Sequence, residues 1–591
     1  MLGSARPEMR AKAGPVLDPT RKRFLIALCL INGLVALDST IVATALPKIV
    51  ESLAGARDYT WVVTGYLISS SVVMPVTGRL ADLVAPRRLI YLGTLLFLGG
   101  SLLAGSAPGM STLVLARVIQ GLGGGTVTAV SWAVLGLAFP PEERGPASAL
   151  FGASLGLASA VGPFLGGLIT DVLSWHWIFF VNLPLGGLAW AMLAYHMPSL
   201  NPESSQRMDW SGAVLLTLWC VPLLLALSWG GSEVAWSSPL IVGLVVCFLV
   251  FSAAFAKVER GREDALFDLS LFQNRAFLVS STAFFLLGAA MMGALLFLPL
   301  FLIQVANVSV TTSGLVMTPL ILGVVVGSIV TGRKLRESSP RPLLLVGNSL
   351  VCAGLLGLGS RLGPDTGLYE ILAWSTLNGA GLGCLLPGYP VVVQNSVDRI
   401  RMGTASSFLQ FLRLLGGTIG AAFLGTLLVS GMDRAVPSQL NSQFQEFGLD
   451  ITVSKYQEPQ KLQQLFAQSE AELSARLSNL RGGDPALLEY AKAVPQPLRD
   501  ELTGLDKGLS LPTGLQQKAV ASLSKQLELL GTEVGKTVRE ALAKEIALLF
   551  RLCGLLTVLS LIATFFIGGG PLPQGETQPD HGPSDLPEEA S

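Results

Sequence analysis

Runs of about twenty apolar residues recur from one end of the chain to the other, and each can cross a hydrocarbon core of ~30 Å as a helix rising ~1.5 Å per residue. They begin near Phe24, Tyr59, Arg88, Met110, Pro146, Trp177, Trp210, Pro239, Ala276, Thr311, Arg341, Leu368, Met402 and Ala543. A chain with about fourteen such runs has few folds open to it, because a backbone in lipid must satisfy its own hydrogen bonds. Only helices and closed barrels do so, and the strand-like alternation of apolar and polar residues that a barrel needs is absent from these runs. With 51% hydrophobic and 14% charged residues and a mean hydropathy of +0.58, the expectation is an all-α integral membrane protein with fourteen transmembrane helices.

Charge sets the orientation. An even number of spans puts both termini on one side, and the basic residues of the connections divide between the two sides. One side holds Arg6, Arg10, Lys12, Arg21, Lys22, Arg23, Arg79, Arg87, Arg88, Arg144, Arg207, Lys257, Arg260, Arg262, Arg275, Arg333, Lys334, Arg336, Arg341, Arg399 and Arg401; the other holds only Lys48, Arg57 and Arg361. Both termini are therefore expected in the cytoplasm, with the chain multi-pass in a bacterial cytoplasmic membrane. The net charge of zero says little about partners, because the charges are partitioned by side, and no nucleic-acid partner is expected. Cys29, Cys220, Cys247, Cys352, Cys384 and Cys553 all fall inside apolar runs and read as small core residues, not a disulfide framework. No small-residue cleavage site follows the first run, which reads as an uncleaved first helix.

The runs group as six, two and six. A cytoplasmic N-terminus (1–23) precedes a first six-helix half (24–197), an inserted pair (210–257) and a second half in two pieces (276–430 and 544–570). The link at 257–275 is charged and then amphipathic, fitting either a surface helix or a solvated connector. The largest departure is 431–543, a polar stretch between the last two runs and outside by the charge count. Leu462, Leu465, Phe466, Leu473, Leu477 and Leu480 recur there at helical spacing, as do the apolar residues between Leu515 and Leu530, so a helical extracytoplasmic insert is expected. Its last helix could run on into the final span. The tail 571–591 is Pro-rich and acidic, the composition of a disordered segment.

Soluble-enzyme chemistry finds little support. GTEVGKT (531–537) is one residue short of a phosphate loop and follows no strand. GLGGG (121–125) lies inside a span, where glycines let backbones approach. HExxH, GxSxG and CxxC are absent from the sequence, so no enzyme, cofactor or metal is expected. What stands out instead is a short set of polar groups at membrane depth: Asn32 and Asp38 in the first run, Arg117 and Gln120 in the fourth, Asn378 in the twelfth and Arg413 in the thirteenth. A charged group there costs about 2.5–3.5 kcal/mol on insertion scales, so such groups face the bundle interior and pair with one another. Two readings stand side by side. The set is a buried ion pair that holds helices together, or Asp38 gains and loses a proton as it moves relative to the permanently charged Arg117 or Arg413. In GLASAVGPFLGGLI (156–169), Gly162, Pro163, Gly166 and Gly167 combine a kink with a small packing face.

At these residues the sequence resembles the major facilitator superfamily, and within it the fourteen-helix drug:proton antiporters. LDSTIVATALP (37–47) is similar to that branch's first-helix motif, GRLADLVAPRR (78–88) to the loop between helices two and three, and LARVIQGLGGG (115–125) to the fourth-helix motif. GPFLGG (162–167) resembles the helix-five antiporter motif, WHWIFFVNLP (175–184) the signature before helix six, and RMGTASSFLQFLRLLGGTIGAA (401–422) the thirteenth helix. The resemblance implies two pseudo-symmetric halves rocking around a central cavity, with the inserted pair peripheral. By motif position it implies proton coupling by Asp38 and Arg117 and a cytoplasmic charge-relay gate at Asp82, Arg87 and Arg88, with Gly78 opening the same motif; the depth of the remaining polar groups adds Arg413 to the expected coupling set and makes Asn32, Gln120 and Asn378 the expected substrate cavity. The resemblance places Gly162 and Pro163 between the halves. Ala85, Ala158 and His176 depart from the family's pattern, and Arg336 stands where the second half would carry the matching Asp, which makes the gate one-sided.

The function expected is proton-coupled export of hydrophobic or amphiphilic compounds. The partners expected are the bilayer, protons and a small hydrophobic or lipidic substrate. Two other readings stay open: a lipid exporter using 431–543 as a conduit, and a scaffold or sensor whose insert binds an extracytoplasmic partner.

Overall fold

The computed structural model describes residues 19–53, 59–200, 207–231, 234–260, 262, 265–266, 269–309, 313–314, 316–335, 339–446, 496–504 and 512–568. Among these, thirteen helices are long and apolar enough to cross a membrane. The fourteenth position, where a run begins near Thr311, is taken by the 17-residue helix Thr318–Lys334.

The first half comprises α1 (Pro19–Ser52), α2 (Tyr59–Leu83), α3 (Pro86–Gly105), α4 (Met110–Ala138), α5 (Pro141–Val172), α6 (Trp177–Phe180) and α7 (Asn182–His196). The last two make one span, broken at Val181. Pro184 lies at the start of α7 and has no N–H to offer the preceding turn, which accounts for the break. The inserted pair is α8 (Trp210–Trp229) and α9 (Pro239–Glu259), followed by a single 3₁₀ turn at Leu269–Gln273 where the sequence allowed a surface helix. The second half comprises α10 (Arg275–Gln304), α11 (Thr318–Lys334), α12 (Pro340–Arg361), α13 (Leu368–Ser396), α14 (Met402–Glu446) and, after α15 (Gln496–Thr503), α16 (Thr513–Phe565).

Glycine contacts reveal that the halves repeat one packing scheme. On α4, a Cβ at Gly123 would meet Phe97 on α3; on α13, one at Gly381 would meet Val351 on α12. Gly100 lies against Gln120 in the first half and Gly354 against Asn378 in the second, at the same spacing. Small residues permit these approaches where lipid tails offer no hydrophobic drive. Between the halves, α2 packs on α14 and α5 on α11, so the second helix of each half meets the fifth of the other. The pair α8–α9 touches this body through α8 against α2 and α14, and α9 lies almost wholly exposed at its edge.

Of the expected insert 431–543, the described residues show both ends as continuations of spans. α14 runs on to Glu446 and packs against α16, which is continuous from Thr513 into the last span. The helix expected over 460–480 lies outside the described residues, as does the tail 571–591.

Asp209 closes the N-terminus of α8, accepting from the Gly212 amide at 3.0 Å and from Arg262 Nη1 at 3.0 Å. Burial pushes its carboxyl upward, but bonds from Ser211, Gly212 and Arg262 together outweigh it and hold it below its ordinary value. A depressed carboxylate stabilises the fold above the unfolded pKa of ~3.9 and loses that contribution as pH falls through the folded value. Asp209→Ala is expected to cost about 1 kcal/mol. In thermal melts its deficit against wild type should be full at neutral pH and shrink on acidification below the unfolded pKa.

Candidate functional site

The polar residues of LDSTIVATALP divide by partner. Ser39, Thr40 and Thr44 bond back to carbonyls of α1 itself, at Ala36, Leu37 and Ile41. Asp38, fully buried, is the residue of this stretch whose side chain engages other helices. Its Oδ2 accepts from Arg117 Nη1 at 2.5 Å, and its Oδ1 accepts from Gln120 Nε2 at 2.8 Å and Asn182 Nδ2 at 3.0 Å.

The arginine is held from every side. Arg117 Nη1 also donates to Gln120 Oε1 at 2.7 Å, Nε donates to the Val62 carbonyl at 3.2 Å, and the guanidinium stacks over the Tyr66 ring at 4.2 Å. Ser101 on α3 links the two amides, accepting from Gln120 at 3.3 Å and Asn182 at 3.0 Å while donating to the Phe179 carbonyl at 2.9 Å. That carbonyl is available because the helix breaks at Val181, two residues on. The result is one charge-balanced network joining α1, α2, α3, α4 and the α6–α7 span inside the first half. All three neighbours of Asp38 are donors, so protonating it removes an acceptor and the attraction to Arg117 together.

Ser101, Asn182 and Tyr66 were not among the residues singled out in the sequence. Asn182 carries the signal that found Asn32, an amide within an apolar run. Serine and tyrosine give none, because both are common in spans.

Arg413 does not join this network. It lies on α14 in the second half, donates from Nε to Gln410 Oε1 at 3.2 Å and sits over Phe284 on α10 at 5.7 Å. The three expected cavity residues are also separated. Asn32 donates to Ser131 at 2.7 Å, Gln120 belongs to the Asp38 network, and Asn378 is buried on the α12 side of α13 with both side-chain amide atoms unpartnered. Gln120 and Asn378 occupy matching places in the two halves, each turned toward the third helix and away from the seam.

Of the expected gate residues, Gly78 and Asp82 lie at the seam between the halves. Asp82 accepts from the Gly403 amide at 2.6 Å, the Thr404 amide at 2.8 Å and the Thr404 hydroxyl at 2.6 Å. These are groups at the start of α14, where unsatisfied N–H groups and the helix dipole favour an anion. Gly78 and Gly403 allow the approach, since a Cβ on either would collide with the opposite helix. Arg87 turns away, to Tyr91 at 2.7 Å and the Ala194 carbonyl at 2.6 Å within its own half, and Arg88 is exposed.

Other bonds close the same end. Arg144 donates to the Gln394 carbonyl at 3.0 Å and Asn395 Oδ1 at 2.6 Å, and Gln394 donates to the Trp132 carbonyl at 2.8 Å. The opposing position, Arg336, lies outside the described residues. Gly162 and Gly166 pack on Thr40, Ile41 and Thr44 of α1, inside the first half and not across the seam; Gly167 meets nothing nearby, and Pro163 lies within α5. The part of α5 that faces the other half is its earlier portion, where Gly145 meets Leu335 and Gly156 meets Val324.

Two repeated helix sets meeting along two seams, with a charged pair sealed inside one set, make up the two-halved architecture of many membrane transporters. The family profile described as Major Facilitator Superfamily matches residues 28–421. The chain belongs to that superfamily and is a multi-pass membrane transporter. It is 36% identical over 405 residues to Multidrug resistance protein 3 of Bacillus subtilis (strain 168), covering 68% of this chain and 79% of that protein. It is 33% identical over 430 residues to Puromycin resistance protein pur8 of Streptomyces alboniger, covering 71% and 84%. Among solved structures, the human organic anion transporter MFSD10 (TETRAN) aligns with a TM-score of 0.53 at 19% identity over 69% of this chain and 94% of that one. The proton:xylose symporter XylE aligns with a TM-score of 0.51 at 12% identity over 72% and 90%. At those identities the likeness is one of fold.

Proposed function

We propose that this protein exports hydrophobic or amphiphilic compounds across the cytoplasmic membrane in exchange for protons, with both termini cytoplasmic. The observation that carries the reading is Asp38, fully buried and bonded to a fully buried Arg117. An ion pair in so dry a place is stable only while intact, and a proton on Asp38 changes its balance at once. Bringing water to Asp38 in one conformer and sealing it in another converts rocking of the halves into proton movement. The basic end, closed by Asp82 and Arg144, is the cytoplasmic one on this reading, and the conformer is closed inward. Resistance and efflux names among the relatives support a substrate of this class.

The test is proton release from full-length protein in liposomes challenged with a lipophilic dye. Wild type should release protons on adding the dye, and Asp38→Asn should reduce that release about a hundredfold, in keeping with loss of the coupling group. Equal proton release from both proteins would leave Asp38 a structural ion-pair member and end the proposal.

A further inference from the structure

Among the described residues, the second half carries a positive charge at membrane depth with no carboxylate beside it. Arg413 lies about 16 Å along α14 from Met402, at 1.5 Å per residue, which is near mid-bilayer. Among the described residues it has no carboxylate partner, and its one hydrogen bond runs from Nε to Gln410 Oε1. In the first half, by contrast, Arg117 is neutralised by Asp38.

The surroundings of Arg413 are short of acceptors. Gln410, 2% exposed, uses its oxygen on Arg413 and leaves Nε2 without a partner. Ser280 and Ser281 on α10, buried at 0% and 1%, have unpartnered hydroxyls. Contacts on either side set residues 280–281 of α10 at the level of residues 410–413 of α14. The Phe277 and Phe408 rings stack at 6.1 Å at its inner end, and a Cβ on Gly288 would meet the Arg413 carbonyl at its outer end. A guanidinium with one acceptor, on the Gln410 oxygen, and beside it an unpartnered amide N–H₂ and two unpartnered hydroxyls are donors that an anionic oxygen could satisfy.

The first half carries no arginine at the matching position. Gly416 and Gly420 of α14 pack on Phe285 and Ala289 as Gly162 and Gly166 of α5 pack on α1, so the position matching Arg413 in the first half is Ser159. Arg413 itself is only half-buried despite its depth, and α14 borders the seam through α2 and α4.

We propose that Arg413, with Gln410, Ser280 and Ser281, binds the acidic headgroup of the transported amphiphile, so that the substrates are anionic: a carboxylate, sulfonate or phosphate on an apolar body. This rests on the export reading above and narrows its substrate class. Depth matters here, because a charge partner in low dielectric counts for far more than one at a surface.

The test uses full-length protein in nanodiscs of zwitterionic lipid and two fluorescent probes, 11-(dansylamino)undecanoic acid and its methyl ester. Wild type should bind the acid about tenfold more tightly than the ester, as a charge-assisted bond predicts. Arg413→Gln should erase that preference, Arg413→Lys should keep part of it, and Gln410→Ala should weaken it. Adding phosphatidylglycerol to the discs distinguishes the sources: suppression of acid binding in wild type assigns the site to a lipid headgroup, and no suppression assigns it to a free amphiphile. Both outcomes uphold an anion site. Equal binding of acid and ester by wild type, or a preference that survives in Arg413→Gln, overturns the proposal. If Arg413→Gln elutes as aggregate, Gln410→Ala decides, and an undiminished acid preference there overturns it. The readout is equilibrium binding without a gradient, so it succeeds or fails apart from the proton-release experiment on Asp38.

Discussion

Arg117→Ala is expected to destabilise the first half by about 3–5 kcal/mol, the cost of leaving a buried carboxylate without its counter-charge. The variant loses more than the bond to Asp38. It strands Gln120 Oε1 as an acceptor, takes a second donor from the Val62 carbonyl and opens a void beside Tyr66. Asp38→Asn in the same chain should recover a large part of the loss, because the unpaired charge is then gone and the remaining amides can bond one another. Thermal unfolding of the four proteins in detergent, read as a double-mutant cycle, measures this. If the losses simply add, the network of five helices does not act as a unit, and coupling through it would have to be abandoned.

The second large effect is on the conformational balance. Asp82 makes three bonds across the seam, all to one end of α14. Bonds to a charged group contribute about 1.5–3 kcal/mol each when buried, and they are made only while this end is closed. Asp82→Ala should therefore shift the equilibrium between closed and open ends by a few kcal/mol, about a hundredfold in population. Spin labels placed on the starts of α3 and α14 and read by double electron–electron resonance should show the distance distribution moving from short to long. Arg87→Ala should leave that distribution unchanged, since Arg87 bonds within its own half. A long distance produced by Arg87→Ala and not by Asp82→Ala would invert the assignment of the gate.

How far the site was legible depended on the kind of partner each residue takes. Asp38, Arg117 and Gln120 stood out because charge and amide groups at membrane depth must find one another, and complementary groups lay in two runs. Asn182 met the same criterion but sat next to a helix break, which reads in sequence as the edge of a span. Arg413 and Asn378 meet it too, yet the structure places them apart from the Asp38 network, because the face of a helix that a residue occupies is known from spacing only relative to that helix. The gate is legible only in part, for another reason. Asp82 pairs with backbone N–H groups, which every sequence contains, while the nearby Arg87 and Arg88 offered a side-chain partner that the fold does not use.

Read alone, the amino-acid sequence already specifies a helical membrane bundle and the polar groups that would have to be sheltered in it. Burial in lipid leaves the backbone no alternative to helix, and an intramembrane charge cannot be ignored wherever it falls. The tertiary structure alone decided which charges meet. It sets Asp38 against Arg117 inside one half, leaves Arg413 without a counter-charge among the described residues of the other, and docks Asp82 on the end of α14. Those pairings depend on close helix approaches at Gly78, Gly100, Gly123, Gly381 and Gly403. Glycines mark such contacts in a sequence without naming the helix on the other side, because the missing side chain that permits the approach carries no information about what approaches.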